Sequence, residues 1–278
     1  MSARRPSLPL RLGVHAAVYL AAATMVFPFL WMVLTSLKTD AEALSPEFSL
    51  LPESPRWSNY AEAWTSVELG RFCVNSFLVA SVTTLLAGAH NTLAGYAFAK
   101  LRFGGRRMLF LLTLATMMLP IQVFFVFAYL IADWAGYVDS LQGLIVPFLA
   151  SAFGIYYMRQ AVAGVPDSLL EAGRLDGMSE LEMLWRIVRP TVWPAIAALG
   201  IFTFVASWNS FFWPLILIDS RDHKTMPLAI AELSAGIYVH SWPVRMAAAT
   251  ILTAPLVLVF LAFQRAFVRG VALTGLKE

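Results

Sequence analysis

Six stretches of this chain contain no Asp, Glu, Lys or Arg: 12–37, 72–99, 108–132, 140–158, 190–218 and 246–264. No other feature narrows the possible folds as much. A helix rises about 1.5 Å per residue, so about 20 apolar residues match the ~30 Å hydrocarbon core of a bilayer. Inside that core every backbone N–H and C=O must be bonded within the segment, which favours helices. Charged residues make up 13% of the chain, against about 25% in an ordinary soluble domain. The reading is an all-α integral membrane protein with six transmembrane helices. It forms a single domain over 12–265, between an N-terminal segment 1–11 and a tail 266–278. Arg4, Arg5 and the run Ala21–Ala23 suit a cleaved signal peptide. The apolar stretch continues through Pro28, Phe29, Leu30 and Trp31, too far for one, so an uncleaved first span is expected.

The polar intervals orient these spans. With the N-terminus inside, the inner segments hold 14 of the 20 Lys and Arg, and the outer loops hold the remaining 6. Positively charged residues accumulate on the cytoplasmic side, so both termini and the interval 159–189 are expected there. The net charge of +3 therefore implies orientation in a membrane, not a nucleic-acid partner. A single cysteine, Cys73, excludes an internal disulfide and a cysteine metal cluster; it reads as a small apolar residue opening the second span.

What the spans lack bears on mechanism. No acid or base lies at the centre of any span, where an ion-coupled pump would carry one. His15 and His90 read as packed or interfacial residues. There is no paired intramembrane Asp, no H-E-x-x-H helix and no G-x-x-x-x-G-K-[ST] phosphate loop. A serine–histidine pair is not excluded by composition, but no nucleophile elbow accompanies one. No catalytic residue, metal ligand or cofactor site is assigned, and a transporter built this way would have to take its energy from a partner. Asn75 and Asn91 in the second run, Gln122 in the third and Asn209 in the fifth read singly as bonds between helices. As a group they suit a pathway for a neutral hydroxylated solute, because amides both donate and accept, with Trp208 available to stack on a sugar face. Pro120, Pro194, Pro214 and Pro255 are expected to break or kink their spans.

The one long, charged and patterned stretch of the second half is Val165–Pro190, VPDSLLEAGRLDGMSELEMLWRIVRP. The pattern predicts a short helix, a tight turn and a second helix. Asp167 behind Pro166 is expected to cap the first helix. Asp176-Gly177 closes it, Gly177 supplying a positive φ. Ser179 and Glu182 form a capping box for the second helix, which Pro190 stops or kinks. Ala172 and Gly173 are small enough to let another protein surface approach. Taken alone, the stretch suits equally a partnerless hairpin lying on a membrane.

Its spacing resembles the EAA motif of ABC-transporter permeases, carried here by Glu171, Ala172, Gly177, Ile187 and Pro190. Two departures are Gly173 in place of the second Ala, and Arg189 where Leu is usual. Further short pieces are similar to the carbohydrate-uptake permeases of the maltose transporter G-subunit type. They are Asn75-Ser76-Phe77, Gly95–Lys100, Met118-Leu119-Pro120, Ile201–Phe204, Ser207–Phe211 and Phe267–Gly270; the ending Leu273–Glu278 departs from the pattern. The resemblance implies a cytoplasmic coupling helix, with Glu171, Ala172, Gly173, Asp176, Gly177, Ile187 and Pro190 docking on an ABC ATPase dimer. It also implies a second six-span permease, an extracytoplasmic solute-binding protein that meets the loops 38–71 and 219–245, and a sugar substrate. ATP and Mg would be bound by the ATPase. The implied location is a bacterial or archaeal cytoplasmic membrane, in contact with lipid and without nucleic acid. The alternatives are a permease for glycerol phosphate, oligopeptides or amino acids, or an integral-membrane enzyme.

Overall fold

The computed structural model describes residues 8–66, 68–234 and 241–275. Arg4, Arg5, Lys277 and the part of the last outer loop at 235–240 lie outside the described residues. All secondary structure among the described residues is helical. In chain order the helices are α1 (Leu8–Ser36), α2 (Asp40–Ala43), α3 (Ser58–Ser66), α4 (Leu69–Lys100), α5 (Arg106–Ala115), α6 (Ile121–Trp134), α7 (Leu141–Ile145) and α8 (Ala152–Ala163). There follow α9 (Asp167–Leu175), α10 (Glu180–Met183), α11 (Arg189–Thr191), α12 (Trp193–Trp208), α13 (Phe212–Leu217), α14 (Met226–Ser234) and α15 (Trp242–Gly275).

Three helical segments are long and apolar enough to cross a membrane: Leu12–Ser36, Leu69–Lys100 and Trp242–Ala262. Three bent pairs reach that length together. They are Arg106–Met118 with Ile121–Trp134 at 107°, Leu141–Phe148 with Ala152–Ala163 at 46°, and Glu180–Thr191 with Trp193–Trp208 at 82°.

The bends have local causes. Leu119 is extended (φ −94°, ψ 133°) because the ring of Pro120 disfavours helical geometry in the residue before it. Ser151 leaves the helix at φ −116°, and its hydroxyl accepts from the Gly154 N–H at the start of α8; a single run over 140–158 did not foretell this break. The third bend falls at Val192, not at Pro190 as expected. Pro190 lies within the helical run Glu180–Thr191 and does not end it. A π-helical turn, Leu184–Val188, precedes it, with the Arg189 N–H reaching back to the Leu184 carbonyl. Pro255, expected to break or kink the last span, does not break it: it lies inside the continuous α15.

Contacts cluster into two compact units, Met1–Leu69 with Ile230–Ala254, and Gly70–Ala229 with Pro255–Glu278. In the first, the buried Asn59 amide donates to the carbonyls of Ser36 at 2.8 Å and Lys38 at 2.9 Å. Thr39 and Glu42 box the start of α2, and the Trp242 N–H donates to Asp40 Oδ1 at 3.1 Å, tying the unit's two chain segments together. The second unit holds two apolar cores. One, around Met158, Leu170, Met183 and Val188, lies under the α9–α11 hairpin. The other gathers Val79, Ile145, Trp213 and Leu217.

Candidate functional site

The hairpin Val165–Val192 is fastened to the end of α4 by both charge and burial. Lys100, only 8% exposed at its side chain, donates to the Val165 carbonyl and to Asp167 Oδ1, each at 2.6 Å. Asp167 therefore does not cap α9 as expected. Pro166 occupies the cap position with no side-chain bond, and Asp167 is drawn to the ammonium instead. That bond and its charge hold the Asp167 carboxyl below the usual carboxylate range. The Tyr96 hydroxyl donates to Glu180, whose other oxygen accepts from Arg174 Nε at 3.1 Å and Nη2 at 3.0 Å. Leu170, Met183, Leu184 and Val188 then bury against Tyr96, Met158 and Val162. Gly95 permits this closeness: a Cβ there would stand 2.7 Å from Met158 Cβ and 2.8 Å from the Arg159 nitrogen.

The turn follows the local pattern. Gly177 has φ +78°, and the Ser179–Glu182 capping box is complete. The backbone N–H of Ser179, with its hydroxyl, keeps the Glu182 carboxyl below its usual range. The opposite face of α9 is uncovered: Leu169, Glu171, Ala172 and Leu175 are exposed, Leu175 to 89%. An apolar stripe at positions 169, 172 and 175 thus faces outward, with Glu171 beside it.

The polar residues of the spans have separate fates. Gln122 and Asn209 line a cavity of about 510 Å³ within the second unit. Asn209 Nδ2 returns to the Val205 carbonyl at 2.9 Å. Asn75 instead donates to the carbonyls of Asp222 and Lys224 at 2.8 and 3.0 Å, pinning that loop to α4 beside the Arg71–Asp222 ion pair. Asn91 accepts from the Ser151 N–H at 3.2 Å and so ties α4 to the break before α8. Trp208 is 1% exposed and stacks on Phe204 at 5.8 Å; it belongs to the packing of α12, with no face left open for a sugar. His90 is exposed on α4. Between α6 and α7, burial raises Asp139, but the N–H and hydroxyl of Ser220 and the N–H of Asp219, from the loop after α13, outweigh this and leave the carboxyl lowered.

Residues 91–273 match the family described as binding-protein-dependent transport system inner membrane component. The chain belongs to that family. It is a transport component, not an enzyme, and a multi-pass membrane protein. It is 30% identical to the arabinooligosaccharides transport system permease protein AraQ of Bacillus subtilis (strain 168), over 91% of this chain and 90% of that one. It is 31% identical to the lactose transport system permease protein LacG of Rhizobium radiobacter, over 92% and 93%. Among solved structures, a bacterial ABC transporter involved in the import of the acidic polysaccharide alginate shares the fold at a TM-score of 0.81 and 22% identity. That match covers 95% of this chain and 99% of the other.

Both departures of this chain from the EAA pattern have local explanations. Gly173 faces inward, not toward a partner: a Cβ would lie 3.1 Å from Ile187 Cδ1 and 3.3 Å from Met178 Sδ and Met183 Cγ. A second alanine here would press on Ile187. Arg189 lays its guanidinium over Trp185 at 4.8 Å, with Trp193 at 5.7 Å, a cation–π arrangement that a leucine does not make. Sequence reasoning missed Tyr96, Lys100 and Glu180, because their pairings join positions 65 or more apart along the chain. Lys100 signalled orientation, and family resemblance within Gly95–Lys100, but not this pairing.

Proposed function

We propose that this chain is one membrane subunit of an ATP-driven importer that carries a sugar or oligosaccharide into the cell. The supporting observation is the two-sided character of α9. Its inner face is bonded to the end of α4 through Lys100, while its outer face offers Leu169, Ala172, Leu175 and Glu171 to a partner. A short helix so held acts as a rigid lever. In this reading each bent pair counts as one span, giving six, with both termini and α9 in the cytoplasm. An ABC ATPase dimer, which binds ATP and Mg, grips α9 and the corresponding helix of a second six-span permease. Closure of the dimer moves these levers and swings the spans between inward- and outward-facing arrangements, a rigid-body change. An extracytoplasmic binding protein delivers the sugar to the loops 38–71 and 219–245. The pathway residues favoured in this reading are Gln122 and Asn209. The carbohydrate names of AraQ and LacG support the substrate class.

The test is affinity purification of the tagged chain from its native membranes, followed by identification of the co-purifying subunits and uptake assays in proteoliposomes. Recovery of an ATPase, a second permease and a sugar-binding protein is expected. A chain that comes out alone and active without ATPase would overturn the reading.

A further inference from the structure

The turn between α4 and α5 gathers positive charge that the chain does not neutralise. Lys100, Arg102, Arg106 and Arg107 fall within eight residues, and no Asp or Glu occurs anywhere from 69 to 132. Lys100 is paired with Asp167, and Arg102 adds only its field to that carboxyl. Arg106 returns one guanidinium nitrogen to the Leu101 carbonyl at 2.8 Å. Arg107 is exposed and makes no hydrogen bond or ion pair among the described residues. Helix α5 itself does not account for the pair. It opens on Arg106-Arg107 with no acid in its first turn, and positive charge at the start of a helix opposes the helix dipole.

The same two arginines border an open groove of about 780 Å³, which Met108, Leu111, Leu112 and Ala115 carry on along α5. Positions 107, 111 and 115 are each four residues apart and so form a row on one face. At about 1.5 Å per residue that row is about 12 Å long. Met108, Leu111 and Leu112 are all more than half exposed. The other side of α5 is closed: the Phe110 ring meets Phe98 at 5.4 Å and lies under the Arg159 guanidinium at 4.4 Å. The groove therefore has a cationic end and an apolar body. A small soluble anion would leave the body bare, and a zwitterionic lipid brings a cation of its own to the arginines. An amphiphile of net negative charge satisfies both ends at once.

We propose that this groove binds one anionic phospholipid of the cytoplasmic leaflet, with Arg106 and Arg107 holding its phosphodiester and an acyl chain lying along Met108, Leu111 and Leu112. Anionic lipids of that leaflet attract basic segments, and basic pockets beside membrane helices hold their headgroups. The leaflet rests on the topology proposed above; the lipid class rests on the charge and the groove alone. A headgroup held there ties the turn after Lys100, the residue that fastens the hairpin, to the membrane surface.

The test uses the complete transporter, purified with its own subunits in a neutral detergent. Native mass spectrometry counts the dioleoylphosphatidylglycerol molecules retained as that lipid is titrated, with dioleoylphosphatidylcholine and inorganic phosphate as the other probes. Arg107→Gln removes one charge and no contact within the chain, and Arg107→Lys keeps the charge. The expected result is one more phosphatidylglycerol on the wild type than on Arg107→Gln at limiting lipid, an affinity roughly 5-fold weaker in that variant, and recovery in Arg107→Lys. Equal counts on the wild type and Arg107→Gln overturn the site. Phosphatidylcholine that fills it equally, or a lysine variant that loses as much as the glutamine one, overturns the role of charge. Inorganic phosphate that displaces the lipid makes this a free-anion site and overturns the lipid. Sidedness is read separately, by labelling Gly104→Cys in a Cys73→Ala background from either face of sealed vesicles. Labelling from the outer face alone overturns the topology and the leaflet, while a complex that contains no ATPase overturns the importer reading; neither outcome alters the lipid count.

Discussion

The α9–α11 hairpin and the cavity of the same unit are built on opposite rules. In the hairpin the charged groups that meet α4 are paired: Lys100 serves Val165 and Asp167, and Glu180 serves Tyr96 and Arg174. Beneath it lies a continuous apolar core. At the cavity, helices stop short, two threonine hydroxyls are left over and no charge is present. In the proposed reading the hairpin is a lever, and redundant contacts are what would keep a lever from yielding when pushed. At the cavity an unmade buried bond is a local cost that the packing leaves standing.

The largest test of this contrast uses two glycines. Gly95→Ala puts a methyl against the backbone and Cβ of Met158–Arg159 at 2.7 to 2.9 Å. It is expected to destabilise the assembled protein by about 1–3 kcal/mol, as overpacking does. Gly200→Ala on α12 meets only Thr84 Cγ2 at 3.6 Å and is expected to be neutral or to gain up to about 1 kcal/mol of helix propensity. Thermal unfolding of the purified complex measures both; equal shifts would break the comparison.

Next come changes on the lever. Gly177→Asp forces a side chain onto φ +78°, at a cost of about 1–2 kcal/mol. Glu171→Lys alters only the exposed face of α9. Both proteins are expected to insert in the membrane, while recovery of the ATPase in pull-downs falls at least several-fold. Wild-type transport by both would count against the coupling role. Tyr96→Phe removes one bond to Glu180 but leaves Arg174 in place. Because Glu180 is half exposed, a loss of about 1 kcal/mol is expected, in the range of a single hydrogen bond, again read by thermal unfolding.

The smallest effect is a pH dependence. Lys100 depresses the Asp167 carboxyl, and Ser179 depresses that of Glu182. A depressed carboxylate contributes stability that is present above its unfolded value, about 3.9 for Asp, and is lost as pH falls through the folded value. Protease resistance of the hairpin should therefore hold steady from pH 8 to about 5 and weaken only below about 4. In Lys100→Met the Asp167 share of that acid sensitivity should shrink, with only the charges of Arg174 and Arg102 left to lower the carboxyl. An unchanged acid profile in that variant would remove the ion pair from the account of the lever's stiffness.

Sequence alone determined what local rules decide. Charge-free runs specified a helical membrane protein, since a bilayer leaves the backbone few other options. The Ser179–Glu182 box and the positive φ of Gly177 were readable because capping acts within three or four residues. The break at Pro120 was readable from the ring's clash with the residue before it. The tertiary structure decided everything that joins distant positions. It made Asp167 an ion-pair partner and not a cap, because Lys100 arrives from 67 residues away. It turned Gly173 inward beneath Ile187 and buried Trp208 against Phe204. It separated Gln122 and Asn209, at the cavity, from Asn75 and Asn91, which tie a loop and a helix break to α4. Four amide residues in apolar runs look alike in one dimension. Which of them meets a backbone carbonyl and which faces open space depends on helix packing, and no local pattern encodes that.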